Sequence, residues 1–134
     1  MDISKFDIIE PGKGGKKTPT FTLLRSSSIR ANGRFIDKHN LKDKQYVLIK
    51  GKDEGDKVII AFKFTEEKEE NSLSLFWFRD KEKKDRYSFS FSARGIISKY
   101  NLDLRKIIKN RSLRFEPTIK EYEGEEYFII EIDK

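Results

Sequence analysis

A seven-residue segment occurs twice in this chain, and the repeat restricts the folds that the chain can adopt. Residues 35–41 read FIDKHNL, and residues 96–102 read IISKYNL. The two copies share Ile, Lys, Asn and Leu at corresponding positions, and His39 in the first copy corresponds to Tyr100 in the second. A repeat of this kind predicts two halves of similar structure within one chain.

Each copy has the features of a short helix that ends at asparagine. Paired apolar residues precede Asn40 in the first copy and Asn101 in the second. Asparagine tolerates the left-handed backbone conformation that ends a helix, and the leucine that follows it packs back onto the last turn. After the second copy, Asp103 is a candidate cap for a third short helix. Along residues 104–109 the apolar residues fall on one face of this helix and the basic residues on the other.

The rest of the chain has the pattern of a mostly β protein. Seven short segments are rich in β-branched and aromatic residues and are separated by turn signals. They read TFTLL, QYVLIKG, KVIIAFKF, SLSLFWF, RYSFSFS, SLRFEPTIK and EYFIIEI. We therefore predict an α+β fold, a pseudobarrel of about seven strands with two or three short helices. Strand, helix and hairpin recur as half-repeats, roughly residues 21–64 and 87–132, related by a pseudo-twofold axis.

Length and composition indicate one intracellular domain. Residues 21–134 are expected to form a single β-rich nucleic-acid-binding domain, preceded by a flexible basic arm at residues 1–20. Cysteine is absent, which excludes disulfides and thiolate chemistry. No apolar run reaches the length of a membrane helix, and the N-terminus lacks the pattern of a signal peptide. We expect a cytoplasmic protein that does not enter a membrane, and that is nucleoid-associated if it binds DNA.

The charges of this basic chain are segregated along the sequence. There are 29 Lys and Arg against 23 Asp and Glu, a net charge of +6. Residues 11–36 contain six basic residues and no acid, and residues 94–114 contain seven basic residues against Asp103 alone. Acids concentrate instead at residues 66–70 and 116–133. The two basic blocks, residues 11–36 and 94–114, indicate a basic face that binds a polyanion.

Three patterns suggest a phosphate-binding loop, a catalytic histidine and a cluster of functional acids, but each has a simpler interpretation. Residues 12–18, GKGGKKT, lack two defining positions of a phosphate-binding loop and are interpreted as a flexible basic arm. His39, the only histidine, corresponds to Tyr100, which indicates a flat, partly buried ring rather than a catalytic base. The acids of residues 52–56 and 80–85 fall in predicted hairpin turns. We therefore expect no catalytic residue, no metal, no cofactor and no enzymatic activity.

The first half-repeat resembles known DNA-binding units. Residues 29–49, IRANGRFIDKHNLKDKQYVLI, resemble the AbrB and MraZ swapped-hairpin proteins, whose units interleave into a small β-barrel that binds double-stranded DNA. The plant-type DNA-binding pseudobarrel, with seven strands and two short helices in one chain, is similar in size. In such folds the loops from strand to helix face the duplex. The resemblance places Arg30, Asn32, Arg34 and Arg94 there.

A second resemblance points to single strands. Four predicted strands from Tyr46 onward, followed by the helical residues 93–110, are similar in order to the positive cofactor four and Whirly family of single-strand binders. If the leucines and the tryptophan of SLSLFWF point inward, Phe76 and Phe78 lie on the opposite face of their strand. Exposed rings beside basic residues would stack unpaired bases.

We therefore predict a non-enzymatic nucleic-acid-binding protein of transcriptional or architectural role, with double-stranded DNA favoured. The expected phosphate contacts are Lys13, Lys16 and Lys17 on the loose arm, and Arg30, Arg34, Arg94, Arg105, Lys106 and Lys109 on the domain. The residues expected to reach base edges are Arg30, Asn32, Arg34 and Arg94.

Two alternatives stay open at this point. One is a single-stranded DNA or RNA binder that uses aromatic residues of a sheet. The other is a small protein-interaction or inhibitor module of a mobile element, whose acidic hairpins block a partner surface. The chain is expected to act as a monomeric pseudo-dimer or as a homodimer.

Overall fold

The computed structural model describes residues 3–7 and 18–134, and these form a mostly β structure with short helices. Ile3–Lys5 is a 3-10 turn. The described strands are β1 (Phe21–Leu24), β2 (Ser28–Ala31), β3 (Tyr46–Asp53), β4 (Lys57–Thr65), β5 (Leu73–Ser74), β6 (Phe76–Arg79), β7 (Arg86–Ser92), β8 (Ser112–Phe115), β9 (Thr118–Tyr122) and β10 (Glu125–Asp133). The helices are α1 (Gly33–His39), α2 (Arg94–Lys99) and α3 (Leu104–Ile107).

The strands form two antiparallel sheets of five strands each. Sheet A has the order β6-β7-β2-β1-β8, and sheet B has the order β5-β3-β4-β10-β9. The prediction of a mostly β, α+β fold is confirmed. The prediction of a pseudobarrel of about seven strands needs correction, because the described residues form ten strands in two open sheets rather than a closed barrel.

Two of the three additional strands arise where the chain crosses between the sheets. The segment SLSLFWF divides at the buried Leu75, so that β5 pairs with β3 in sheet B and β6 pairs with β7 in sheet A. The segment SLRFEPTIK divides at Glu116 and Pro117, between β8 in sheet A and β9 in sheet B. Strand β2 is the third addition, since none of the seven predicted segments covers Ser28–Ala31.

The topology contains the predicted internal repeat. The strand before each helix of the repeat pairs with its counterpart, β2 with β7, and Ile29 lies opposite Phe91. The second strands of the two hairpins, β4 and β10, also pair with each other, and Ile60 lies opposite Ile130. Both pairs are antiparallel, which is the arrangement that a twofold axis through the centres of both sheets produces. Strand β6 takes the same place beside β7 that β1 takes beside β2.

Both helices of the repeat end as their sequence predicts. Asn40 has φ 57° and Asn101 has φ 52°, both in the left-handed region. In each copy the amide of the next residue, Leu41 or Leu102, donates to the carbonyl of an isoleucine in the helix at 3.0 Å. Both leucines are buried, so the chain is anchored to the core directly after each helix.

Replacing Asn40 by alanine is expected to lower the free energy of unfolding by about 1 kcal/mol, because alanine tolerates left-handed backbone poorly. Replacing Asn40 by glycine, which adopts this conformation freely, should leave stability within about 0.5 kcal/mol of the original. Urea denaturation of the two variants measures both values. Equal losses from alanine and glycine would show that the asparagine side chain, and not the backbone conformation, accounts for the effect.

The inner faces of the two sheets and the helices share one core rich in phenylalanine. Phe21, Phe62, Phe89 and Phe128 are fully buried. The ring of Phe21 lies 5.1 Å from that of Phe35 in α1 and 5.2 Å from that of Phe62 in sheet B, measured between centroids. Contacts of this kind join the sheets to each other and to the helix. They fix which side chains of sheet A point outward.

Candidate nucleic-acid interface

Sheet A brings the two basic blocks of the sequence together. Strand β1 lies in the first block and β8 in the second, and the two strands pair antiparallel. Thr22 of β1 is the partner of both Arg30 on β2 and Arg114 on β8, so these two arginines share one face. Because neighbouring strands are about 4.8 Å apart, the two arginine backbones lie roughly 10 Å apart.

The two sheets differ in charge. The five strands of sheet A contain no acidic residue and four arginines, namely Arg30, Arg79, Arg86 and Arg114. The strands of sheet B contain five lysines and six acids, so their formal charge is close to zero; the acids are Asp53, Glu121, Glu125, Glu126, Glu131 and Asp133. The segregation visible along the sequence therefore persists in the fold.

The described arginines and lysines of the two basic blocks have no carboxylate partner within the described part of the chain. The ion pairs there join Lys57 to Glu131, Lys63 to Glu69 and Glu125, and Lys134 to Asp53. All three lysines lie outside the basic blocks. Hydrogen bonds from Lys63 to Glu125 and Glu69 raise the pKa of this lysine to about 12. Charges on sheet B are thus partly paired, whereas the basic blocks keep their positive potential.

The outer face of sheet A, the face that points away from the core, carries mostly small hydroxyl side chains. One row of paired positions crosses all five strands in the order Phe76, Ser90, Arg30, Thr22, Arg114. A parallel row runs Ser92, Ser28, Leu24, Ser112. The small side chains of Ser90 and Thr22 therefore leave space on either side of the central Arg30, and Phe76 and Arg114 stand at the two edges.

One edge of this face is aromatic. The side chains of Phe76 and Phe78 on β6 have ring centroids 5.1 Å apart, and Phe76 is 64% exposed. The guanidinium of Arg30 lies 4.6 Å from the centroid of Phe78. Trp77 points the opposite way and contacts Phe89 in the core, so Phe76 and Phe78 lie on the outer face. Of the leucines expected to point inward with Trp77, Leu75 is buried, whereas Leu73 is 39% exposed on β5 of sheet B. We call Phe76 and Phe78 the aromatic edge.

The opposite edge is basic. Arg25, Lys109, Arg111 and Arg114 line an open groove of about 630 Å³, together with Asn110 and Ser112. The Arg25 guanidinium donates to the carbonyl of Ile108 at 3.1 Å, which holds the β1–β2 turn against the chain that leads into β8. We call these four residues the basic edge. The sequence predicted a contact only from Lys109, because nothing in the sequence indicated that β1 and β8 are neighbours.

A second groove, of about 450 Å³, contains the first-half residues that were predicted to bind. Arg30, Asn32 and Arg34 line it with Tyr87, Ser88 and one acid, Asp37. The Asn32 amide already has internal partners. Its oxygen accepts from the amides of Thr20 and Phe35 at 2.9 and 3.0 Å, and its nitrogen donates to the Thr18 carbonyl at 2.8 Å. Asn32 therefore caps α1 and holds the start of β1, which leaves one N–H for any base.

Of the other predicted contacts, Arg94 and Arg34 follow the strands β7 and β2 of sheet A. Arg94 is exposed and follows Ala93, whose amide donates to the carbonyl of Ser27 at 2.8 Å in the β1–β2 turn. Arg94 therefore lies at the same end as the basic edge, whereas Arg34 lies at the opposite end of the antiparallel pair β2 and β7. Arg105 and Lys106 are exposed on α3. The predicted arm residues Lys13, Lys16 and Lys17 fall outside the described residues.

His39 has the structural role that its tyrosine counterpart suggested. Its half-buried ring lies 4.5 Å from that of Phe35 and 5.0 Å from that of Phe128, measured between centroids. Burial lowers the pKa of His39, Lys38 lowers it further, and Glu126 opposes both. Tyr100 is likewise half-buried, and its ring lies over the backbone of Gly51. Both rings close the core beside the end of a helix.

Comparisons with known proteins give no assignment, since no family model, curated protein or solved structure matches this chain. The two family resemblances seen in the sequence therefore stay expectations. No helix in the described part of the chain is long and apolar enough to cross a membrane.

Proposed function

We propose that this protein is a non-enzymatic nucleic-acid-binding protein whose interface is the outer face of sheet A and its basic edge. The observation behind the proposal is the pairing of β1 with β8. That pairing joins Arg30 and Arg114 in one row and sets Arg25, Lys109 and Arg111 beside them. A cationic surface that no local carboxylate neutralises attracts a polyanion.

Phosphate groups are the chemical partners that this surface suits. Guanidinium groups donate paired hydrogen bonds to phosphate oxygens, and serine and threonine hydroxyls add single ones. Contacts of this type set affinity and register on the polymer and carry no sequence information. The sequence favours duplex DNA as the ligand, but phosphates are common to duplexes and single strands. Whether the ligand is a duplex or a single strand must therefore be inferred from features of the surface other than its charge.

Titration of labelled oligonucleotides, duplex and single-stranded, at a series of salt concentrations tests the proposal. We expect saturable binding whose log affinity falls linearly with log salt, by about 0.9 per contacted phosphate on duplex and about 0.7 on a single strand. The slope should correspond to several contacted phosphates, whose condensed counterions are released on binding. Absence of binding to either polymer at low salt would refute the proposal and leave a protein-interaction module as the better hypothesis.

A further inference from the structure

The aromatic edge exposes large apolar side chains at the surface of this protein. Most of its phenylalanines are in the core, yet Phe76 keeps 64% of its surface exposed on an edge strand. Tyr87, at 48%, is also exposed, and its ring centroid lies 6.4 Å from that of Phe78. Exposed rings that stand beside the arginines of sheet A, whose strands contain no acidic residue, can stack with the flat faces of bases.

The dimensions of sheet A favour unpaired over paired bases as the ligand. Five strands at about 4.8 Å spacing extend roughly 19 Å from β6 to β8. The major groove of duplex DNA, about 12 Å wide, admits a helix or a two-stranded ribbon but not a sheet of this width. The faces of paired bases are also covered by their neighbours in the stack. An undistorted duplex therefore offers Phe76 no exposed base face inside the stack, whereas an unpaired base offers one.

The arrangement of the row across the outer face suits an extended single strand. Phe76 stands at one end, Arg114 stands at the other, and the small side chains of Ser90 and Thr22 leave space on either side of the central position. Arg30 lies between them with its guanidinium stacked on Phe78, which holds the charge in place above the sheet. Stacking and phosphate contacts are therefore available within one short path.

We infer that the ligand is single-stranded nucleic acid, with an unpaired base stacked on Phe76 and the backbone running across sheet A to the basic edge. This inference rests on the proposed function and specifies the polymer that the same surface binds. It assigns to Phe76 a role in affinity that charge alone does not provide.

The test compares Phe76→Ala with Tyr122→Ala, which removes a ring of nearly equal exposure, 65%, from the edge of sheet B. The probes are a labelled thymidine oligonucleotide and its duplex with the complementary adenosine strand. We expect the unchanged protein to bind the single strand more tightly. Phe76→Ala should weaken that binding about 5- to 150-fold, whereas Tyr122→Ala should change it less than about twofold. Phe76→Trp should retain binding, because it keeps an aromatic ring at this position. The slope of log affinity against log salt should be the same for Phe76→Ala as for the unchanged protein, because no charge is lost.

The outcomes separate this inference from the proposed function. Tighter binding to the duplex, with no effect of Phe76→Ala, would overturn the inference and leave nucleic-acid binding in place. Equal losses from Phe76→Ala and Tyr122→Ala would also overturn it, because the stacking position would not be specific. No binding of either probe by the unchanged protein would remove both proposals.

Discussion

Replacing Arg30 and Arg114 together by glutamate is expected to weaken nucleic-acid binding about 100-fold, because each charged contact is worth roughly a factor of ten. Both arginines are exposed and flank Thr22 on the outer face of sheet A. The reversal removes two phosphate contacts at the centre of the basic surface and adds repulsion. The slope of log affinity against log salt should also become less steep, by the amount that roughly two phosphate contacts contribute. Fluorescence anisotropy with a labelled oligonucleotide measures both quantities.

The matched control reverses Lys52 and Lys120, which are exposed on sheet B. Lys52 pairs with Ile59 and Lys120 with Tyr127, positions that point away from the core. This variant changes the net charge by the same amount but should lose less than about threefold in affinity, because only long-range potential is altered. A larger loss from the control than from the arginine pair would move the interface to sheet B and contradict the proposed function.

Replacing Phe21 by alanine is expected to lower the free energy of unfolding by about 3–5 kcal/mol, which is the usual cost of removing a buried phenylalanine. Phe21 is 0% exposed, and its ring contacts those of Phe35, Phe62, Phe64 and Phe91. The cavity would therefore open between α1 and both sheets. Since small domains are stable by about 5–15 kcal/mol, the loss is a large share of the total.

Urea denaturation followed by circular dichroism measures this loss. Phe21→Leu, which removes less volume, should cost less and keeps the measurement possible if the alanine variant does not fold. Phe76→Ala serves as the control, because an exposed ring should contribute within about 0.5 kcal/mol. A loss of less than about 1 kcal/mol for Phe21→Ala would contradict the packing of one core between the two sheets.

The local elements of the fold could be predicted because their signals lie within a few residues. Asn40 and Asn101 mark the ends of α1 and α2, and their left-handed backbone follows from the chemistry of asparagine. Asp103 accepts a hydrogen bond from the amide of Arg105 at 3.0 Å and caps α3 as expected. Alternation of apolar and polar residues likewise placed Phe76 opposite Trp77.

The candidate site was only partly predictable, because its assembly depends on contacts between distant segments. Arg30, Arg34 and Lys109 were identified from the charge pattern, but Arg25, Arg111 and Arg114 join the site only through the pairing of β1 with β8. Asn32 was expected to read bases, whereas the fold uses most of its amide to cap α1 and hold the start of β1. No residue near Asn32 in sequence signals this second contact.

The sequence by itself determined the mostly β class, the two similar halves, the short helices and the separation of basic from acidic segments. Each of these properties depends on residue types and short spacings. Only the tertiary structure decided that the strands form two sheets, that the chain changes sheet at Leu75 and Pro117, and that both basic blocks meet in sheet A. Strand partners and register are chosen by packing of side chains far apart in sequence, such as Phe21 on Phe62, and no local pattern records that choice.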